Sequence, residues 1–399
     1  MSNVSNYVTV DGNTAAANVA YEFSEVAAIY PITPSSPMAG LTDKWSANGR
    51  KNMFGQRVNL VEMQSEAGAI GAIHGALQTG ALGTSFTSSQ GLMLMVPVLY
   101  RIAGERLPGV LHVASRTVGT HALSIFGDHS DVMGARDTGW LLFFAEDAQE
   151  AYDNTMIAIR TAEDKDVQLP VMTTLDGFIT THAMERAELM NDETAKEFLG
   201  ERTPLYPLLD TENPIAAGMF ADQDSYFELH KALRDAVTAS KPVIKRIGDE
   251  WAELSGRPFD FVDAWGCDDA DYIIVVLGSA AGNARHQARL LREKGVKAGV
   301  ARIRVFRPFP YEELVAALHG AKAVAVLDRS ENFGGEYGPV GLEVATALYN
   351  ARETISLKNY MFGLGGHDVT LEQMEQVYDD LEKLAAGTID GSIEYLGNR

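Results

Sequence analysis

The chain alternates between short apolar runs and stretches with helical periodicity. EVAAIYPI (residues 25–32) is a buried strand stopped by prolines, and ALGTSFTSS (81–89) is a short strand entering a polar turn. LPGVLHVASR (107–116) and LPVMTTLDGF (169–178) are two more apolar strands, each introduced by Leu-Pro. The stretch from Glu66 to Gly83 is rich in Ala and Gly and helix-like, and Asp147 to Ala162 has the spacing of an amphipathic helix. Strands alternating with helices predict a mostly parallel sheet with helices on both faces, hence an α/β fold. From Thr181 to Gln223 the pattern degrades into prolines and scattered charges, so an irregular segment is expected there, wrapping the first domain or meeting a partner. A helix is expected from Ser225 to Leu254, with Gly256 and Pro258 as stop signals.

A second α/β unit follows. YIIVVLGSA (272–280) and AKAVAVLDRS (321–330) are strands, KAGVARIRVFRPF (297–309) reads as one strand ended by Pro308, and LKNYMFGLGG (357–366) is a strand entering a glycine turn. Helices lie between them, over 282–295, 311–320 and 338–350. A last helix over 370–387 has Thr370 as its N-cap. Two domains are therefore expected, 1–240 (with its irregular segment 181–223) and 241–399.

Composition narrows the function classes. The 399 residues carry 54 acidic against 33 basic side chains, a formal net charge of -21, so nucleic acid and anionic membrane surfaces are poor partners. No run of ~18 apolar residues and no apolar leader is visible, which makes a cytoplasmic location the expectation. There is one cysteine, Cys267, so neither an intrachain disulfide nor a cysteine-ligated cluster can be built from this chain alone.

Candidate chemistry gathers in the first half. YPITPSSPM (30–38) presents Thr33, Ser35 and Ser36 just past a strand, where open α/β sheets place ligands, although a capping turn is the simpler account of the serines. VEMQSEAGAIGAIHGA holds Glu62 and Glu66, and Glu66 opens a helix of small residues. The helix dipole alone favours a carboxylate there, but the small neighbours also leave room for a flat heterocycle whose nitrogen could exchange a proton with it. Arg116 follows a strand and suits a carboxylate ligand, or a salt bridge. His121, Asp128, His129 and Asp131 come next in a spacing that matches no metal motif and reads as turn stabilisation. In the second unit, LGSAAGNA (277–284) is an incomplete phosphate-type glycine turn. Arg302 and Arg304 share a strand face, solvated or interdomain, and Cys267 reads as structural.

Longer strings carry a resemblance. DGNTAAANVAY, YPITPSSPM, GRKNMFGQ, EMQSEAGAIGAIHGALQTGAL, TSSQGLMLM, PGVLHVASR and HALSIFGDHSDVMGAR occur in that order through the first domain, and RVFRPFP, VLDRS and YMFGLGG extend the match through the second. Together they closely resemble the amino-terminal part of pyruvate:ferredoxin oxidoreductases, within the 2-oxoacid:ferredoxin oxidoreductase family. The resemblance implies a thiamine-diphosphate-binding-fold pyrimidine domain followed by a transketolase C-terminal-like α/β domain. It implies the alpha subunit of a multi-subunit enzyme that converts pyruvate and coenzyme A to acetyl-CoA and CO2, reversibly, with electrons passed to ferredoxin. A 2-oxoglutarate or other 2-oxoacid type, and a non-catalytic scaffold subunit, are the alternatives. A stand-alone nucleotide-binding protein using the 278–282 loop is a further, weaker one.

Residue by residue, Glu66 matches the glutamate that contacts the aminopyrimidine ring of thiamine diphosphate and favours its imino tautomer. Thr33 and Arg116 match substrate-pocket positions for the 2-oxoacid, and Gln90 and Gly91 are expected to line the cofactor pocket. No metal ligand is expected on this chain. Mg2+ and the [4Fe-4S] clusters are expected on partner subunits: a thiamine-diphosphate-binding beta subunit, and gamma and ferredoxin-like delta subunits, separate or fused. Ferredoxins of the bacterial type are acidic, so ferredoxin is expected to dock away from this acidic chain.

Overall fold

In the computed structural model, which describes residues 5–398, the first half holds β1 (Ser5–Val10), α1 (Gly12–Glu22), β2 (Val26–Ile29), α2 (Ser36–Ala47), β3 (Asn59–Glu62), α3 (Glu66–Gln78) and β4 (Gly83–Thr87). It continues with α4 (Ser89–Gly104), β5 (Val110–Ser115), α5 (Ser130–Ala135), β6 (Leu141–Phe144), α6 (Ala148–Glu163) and β7 (Val171–Asp176). Next come β8 (Glu185–Met190), α7 (Asp192–Leu199) and the long α8 (Gln223–Ser255). The second half holds β9 (Val262–Trp265), β10 (Tyr272–Val276), α9 (Ala280–Glu293), β11 (Ala298–Ile303), β12 (Val305–Arg307) and α10 (Tyr311–Leu318). It ends with β13 (Ala323–Asp328), α11 (Pro339–Ala351), β14 (Ser356–Met361), α12 (Leu371–Ala385) and β15 (Glu394–Tyr395).

Two large sheets result. The first has the order β12-β6-β7-β5-β4-β2-β3, parallel throughout except for β12 at its edge. The second has the order β15-β14-β13-β10-β11-β9, parallel except for β9. Every residue of β4, β5, β6 and β7 is buried, as expected of strands covered on both faces, and this is why their apolar runs read so plainly.

The expected single strand over 297–309 is two strands in two different sheets. β11 pairs with β10, the chain crosses at Arg304, and β12 becomes the antiparallel edge of the first sheet against β6. The reason lies far away in sequence. Arg302 and Arg304 are buried, and both reach the Glu150 carboxylate on α6. One apolar core therefore runs through both halves, from Leu99, Trp140 and Phe144 to Phe306, Phe309 and Leu314. The interdomain alternative for the arginine face is the one the fold adopts.

One other expectation changes. Residues 185–199, inside the segment expected to be irregular, form β8 and α7. β8 pairs antiparallel with β1. Both elements expose much of their surface: α7 buries only Ala195 and Phe198, too few positions to leave a periodic signal. The division expected at residue 240 falls inside α8, whose second part packs on α6 through Ile244, Ile247 and Trp251. The Trp251 and Phe198 rings meet edge to face at 4.8 Å. At α12 the N-cap is as expected: Thr370 and Gln373 form a capping box.

Candidate active site

The candidate residues sit past the carboxyl ends of neighbouring parallel strands: Thr33 after β2, Glu66 after β3, Gln90 and Gly91 after β4, and Arg116 after β5. Strand order alone brings them to one rim of the first sheet, the rim at which open α/β sheets bind ligands.

Glu66 is the first residue of α3, whose N-cap Ser65 accepts a hydrogen bond from the Gly68 amide at 3.2 Å. The carboxylate is 6% exposed and accepts no hydrogen bond among the described residues. It lies against the start of α4: a Cβ on Gly91 would stand 2.7 Å from Glu66 Oε1 and 2.7 Å from Thr87 Oγ1. Only glycine lets the two elements approach this closely. Thr87 Oγ1 and Ser88 Oγ are themselves buried with no hydrogen-bond partner among the described residues. Enclosed polar groups of this kind usually find partners, so the corner between α3 and α4 is built for a polar guest.

Arg116 is also 6% exposed. Its Nη1 donates to the Thr33 carbonyl at 2.7 Å, while its Nε is buried and unpartnered among the described residues. Burial lowers the pKa of this guanidinium, and the nearby Asp131 and Glu66 carboxylates oppose that shift. The Thr33 side chain is exposed, so the expected pair is joined through the Thr33 backbone. Of the two serines, Ser35 donates to the Ile32 carbonyl at 2.7 Å, the turn-forming role. Glu62 is exposed.

Asp131, a turn residue by its sequence spacing, ties this rim together. Its Oδ2 accepts from the Ser89 amide at 2.7 Å and the Arg116 amide at 3.0 Å, and its Oδ1 accepts from the Val132 amide at 2.7 Å. One carboxylate thus fixes the start of α4, with Gln90 and Gly91, relative to the end of β5. Burial is the main cause that pushes this carboxyl up to about 7, against the pull of the three amides. The Gln90 side chain lies against Gly119 in the loop after Arg116.

His129 and Asp128 have a different job. His129 Nε2 lies 2.6 Å from Asp176 Oδ1 at the end of β7. Asp176 Oδ2 accepts from the Ser279 amide at 2.9 Å and lies 3.2 Å from Arg329 Nη1. Hence the phosphate-like glycine turn at 277–284 is already occupied by a carboxylate of this same chain, and it joins the two halves. His121 is exposed and contacts Thr120. Cys267 is buried, and burial foremost pushes its thiol up to about 12, a structural cysteine. Among the described residues, no group of three or more His, Cys, Asp or Glu could hold a metal ion, and no helix is long and apolar enough to cross a membrane.

The sequence has relatives of known kind. Residues 18–249 match the domain described as pyruvate flavodoxin/ferredoxin oxidoreductase, thiamine diP-bdg, and residues 270–374 match pyruvate:ferredoxin oxidoreductase core domain II. The pyruvate synthase subunit PorA of Thermotoga maritima is 40% identical over 400 residues, covering 100% of each chain. The pyruvate:ferredoxin oxidoreductase of Moorella thermoacetica is 41% identical over 94% of this chain and 32% of its own length. The pyruvate-flavodoxin oxidoreductase of Trichormus variabilis is 38% identical over 94% of this chain and 32% of its own length. This chain thus spans about a third of the length of those two relatives. In fold it is similar to 2-oxoglutarate:ferredoxin oxidoreductase from Magnetococcus marinus, with TM-score 0.71 and 19% identity over 95% of this chain and 65% of that one. A split-gene transketolase aligns with TM-score 0.54 and 14% identity over 95% of this chain and 99% of that one.

Proposed function

The chain belongs to the pyruvate flavodoxin/ferredoxin oxidoreductase family, and from that premise we propose that it is the alpha subunit of a multi-subunit pyruvate:ferredoxin oxidoreductase. In this reading it binds the pyrimidine half of thiamine diphosphate at the α3–α4 corner. The observation that carries it is the enclosed Glu66 carboxylate, without a hydrogen-bond partner among the described residues, at the same rim as Arg116. The chemistry that thiamine diphosphate supplies when bound is a nucleophilic carbon that adds to the oxoacid carbonyl and keeps the electron pair released with CO2.

This chain's residues prepare that chemistry. Glu66 holds and returns a proton at a pyrimidine ring nitrogen, a task for which an enclosed carboxyl at a helix start is well placed. Gln90 and Gly91 line the ring's slot, where a larger residue than glycine would push Glu66 aside. Arg116 binds the oxoacid carboxylate through its unpartnered Nε edge, with Thr33 beside it. Mg2+ and the diphosphate belong to a beta subunit. The [4Fe-4S] clusters belong to partner chains, since Cys267 is the one cysteine available and it is buried. Coenzyme A as co-substrate, gamma and ferredoxin-like delta partners, ferredoxin as acceptor and a cytoplasmic location complete the proposal.

The test is turnover of the assembled complex with coenzyme A, ferredoxin and each of several 2-oxoacids. Glu66→Gln should lower kcat about 100-fold or more, the usual scale for losing a positioned acid–base group. Near-wild-type turnover in that variant would favour a scaffold role, and equal turnover of pyruvate and 2-oxoglutarate would overturn the substrate assignment.

A further inference from the structure

We propose that the glycine turn at residues 363–366, at the end of β14 in the second half, is a positioning element for Arg116 and Gln90 in the first. The proposal deepens the reading above and rests on it.

The loop after Arg116 leaves β5 at the active rim and returns as α5. Its returning limb is held from outside. Gly366, at φ +79°, packs so tightly on Phe126 that a Cβ there would overlap the Phe126 Cβ. The adjacent Gly365 amide donates to Asp128 Oδ2 at 2.9 Å, and the other Asp128 oxygen holds the Ser130 amide at 3.0 Å and hydroxyl at 2.6 Å. The His129 amide donates to the Arg329 carbonyl at 2.7 Å.

The held limb in turn fixes the outgoing one. The Thr117 amide donates to the Phe126 carbonyl at 3.1 Å, closing the neck of the loop one residue after Arg116. The Thr117 carbonyl accepts from Ser89 Oγ at 2.5 Å, next to Gln90 at the start of α4. Within the loop, Gly119 lies against the Gln90 side chain. An unbroken path of contacts therefore runs from Gly366 through Phe126 and Thr117 to the groups proposed to bind oxoacid and cofactor. Among the described residues, the turn reaches that rim through Phe126 and Asp128 rather than by a hydrogen bond of its own to Arg116 or Gln90. It also gives Asp128 and His129 a purpose that their spacing alone does not reveal.

The experiment uses the assembled complex and compares Gly366→Ala, Asp128→Asn, Arg116→Ala and the double variant Arg116→Ala/Gly366→Ala. Asp128→Asn is isosteric, but its single acceptor oxygen cannot serve both the Gly365 N–H and the Ser130 N–H. Gly366→Ala should raise KM for pyruvate at least fivefold with kcat within twofold, and Asp128→Asn should shift KM in the same direction. In the Arg116→Ala background, Gly366→Ala should leave KM for pyruvate unchanged, because its effect on oxoacid binding passes through Arg116. Hydrogen exchange at the Thr117 amide should speed at least tenfold in Gly366→Ala and in Asp128→Asn. If Gly366→Ala does not assemble, Asp128→Asn decides by the same readouts. Unchanged KM in Gly366→Ala and Asp128→Asn, or the same fold-change with and without Arg116, would overturn the positioning role. If Arg116→Ala itself leaves KM unaltered for every oxoacid, it is the underlying functional reading that fails.

Discussion

Replacing Glu150 by Gln should loosen the joint between the two halves of the chain. Arg302 meets Glu150 in a two-pronged pair, with Nη1–Oε2 and Nη2–Oε1 both at 2.7 Å, and Arg304 Nη1 lies 3.4 Å from the same carboxylate. Both arginines are about 4% exposed, so neither can turn to water when the charge is removed. Burial alone would push the Glu150 carboxyl up, but Arg304 and Arg302 outweigh it and hold it down at about 2. Against an ordinary value of 4.5 that corresponds to about 3 kcal/mol of coupling. This agrees with the roughly 3–5 kcal/mol lost when one partner of a buried ion pair is removed. For a chain of 399 residues the unfolding entropy is about 0.8 kcal/mol per degree, so the melting temperature should fall by about 4 °C. The sign with pH is fixed. A carboxyl lowered on folding contributes fully above about 4.5 and loses its contribution as pH falls through about 2. Calorimetry of wild type and Glu150→Gln at pH 7 and at pH 2.5 checks both parts. A loss below about 1 kcal/mol at pH 7, or a gap that does not narrow in acid, would refute the pairing as the source of the stability.

Gly91→Ala should cut turnover of the complex at least tenfold while costing about 1–3 kcal/mol of stability, because the new methyl stands 2.7 Å from Glu66 Oε1; unchanged kcat would show that Glu66 need not sit there. Asp131 is raised by burial to about 7, so its contribution is complete below about 4 and is lost as pH rises through 7, at up to about 1.4 kcal/mol per pH unit. Asp131→Asn should flatten the fall in urea midpoint between pH 5 and pH 7.5, and an identical slope in both proteins would contradict the assignment. Cys267, buried with its thiol pushed up to about 12, should resist iodoacetamide at pH 8 in the folded chain and label promptly in urea; equal labelling rates in the two states would show that the thiol is open to solvent.

What could be read from the sequence follows from burial. β5 and β7 lie inside a parallel sheet and are buried from end to end, so their runs are unmistakable. β6 is only four residues long, and α4 carries Pro97 in its interior, which hides its periodicity. The strand 297–309 misled because its break at Arg304 depends on Glu150, more than 150 residues away along the chain. Arg116 drew attention because a charged residue just past a buried run is visible locally, and Glu66 because it opens a helix of small residues. Asp176 did not, since its partners His129, Ser279 and Arg329 come from three separate parts of the chain.

The division of labour between the halves follows from those same long-range partners. The first sheet supplies an acid–base candidate and a carboxylate-binding candidate on loops, and loops by themselves are soft. The second half supplies little to the rim, yet it holds the loops from behind in two ways. Asp176, clasped by Ser279 and Arg329, fixes the end of β7 and His129, while the glycine turn at 363–366 fixes Phe126 and Asp128. Edge strand β12 and the Glu150 pair with Arg302 and Arg304 then prevent the two sheets from sliding past each other. A site whose groups must be held to a fraction of an ångström gains most from support of this kind. The second half thus backs the first half's candidate rim, and its phosphate-like turn, filled by Asp176, is part of that backing.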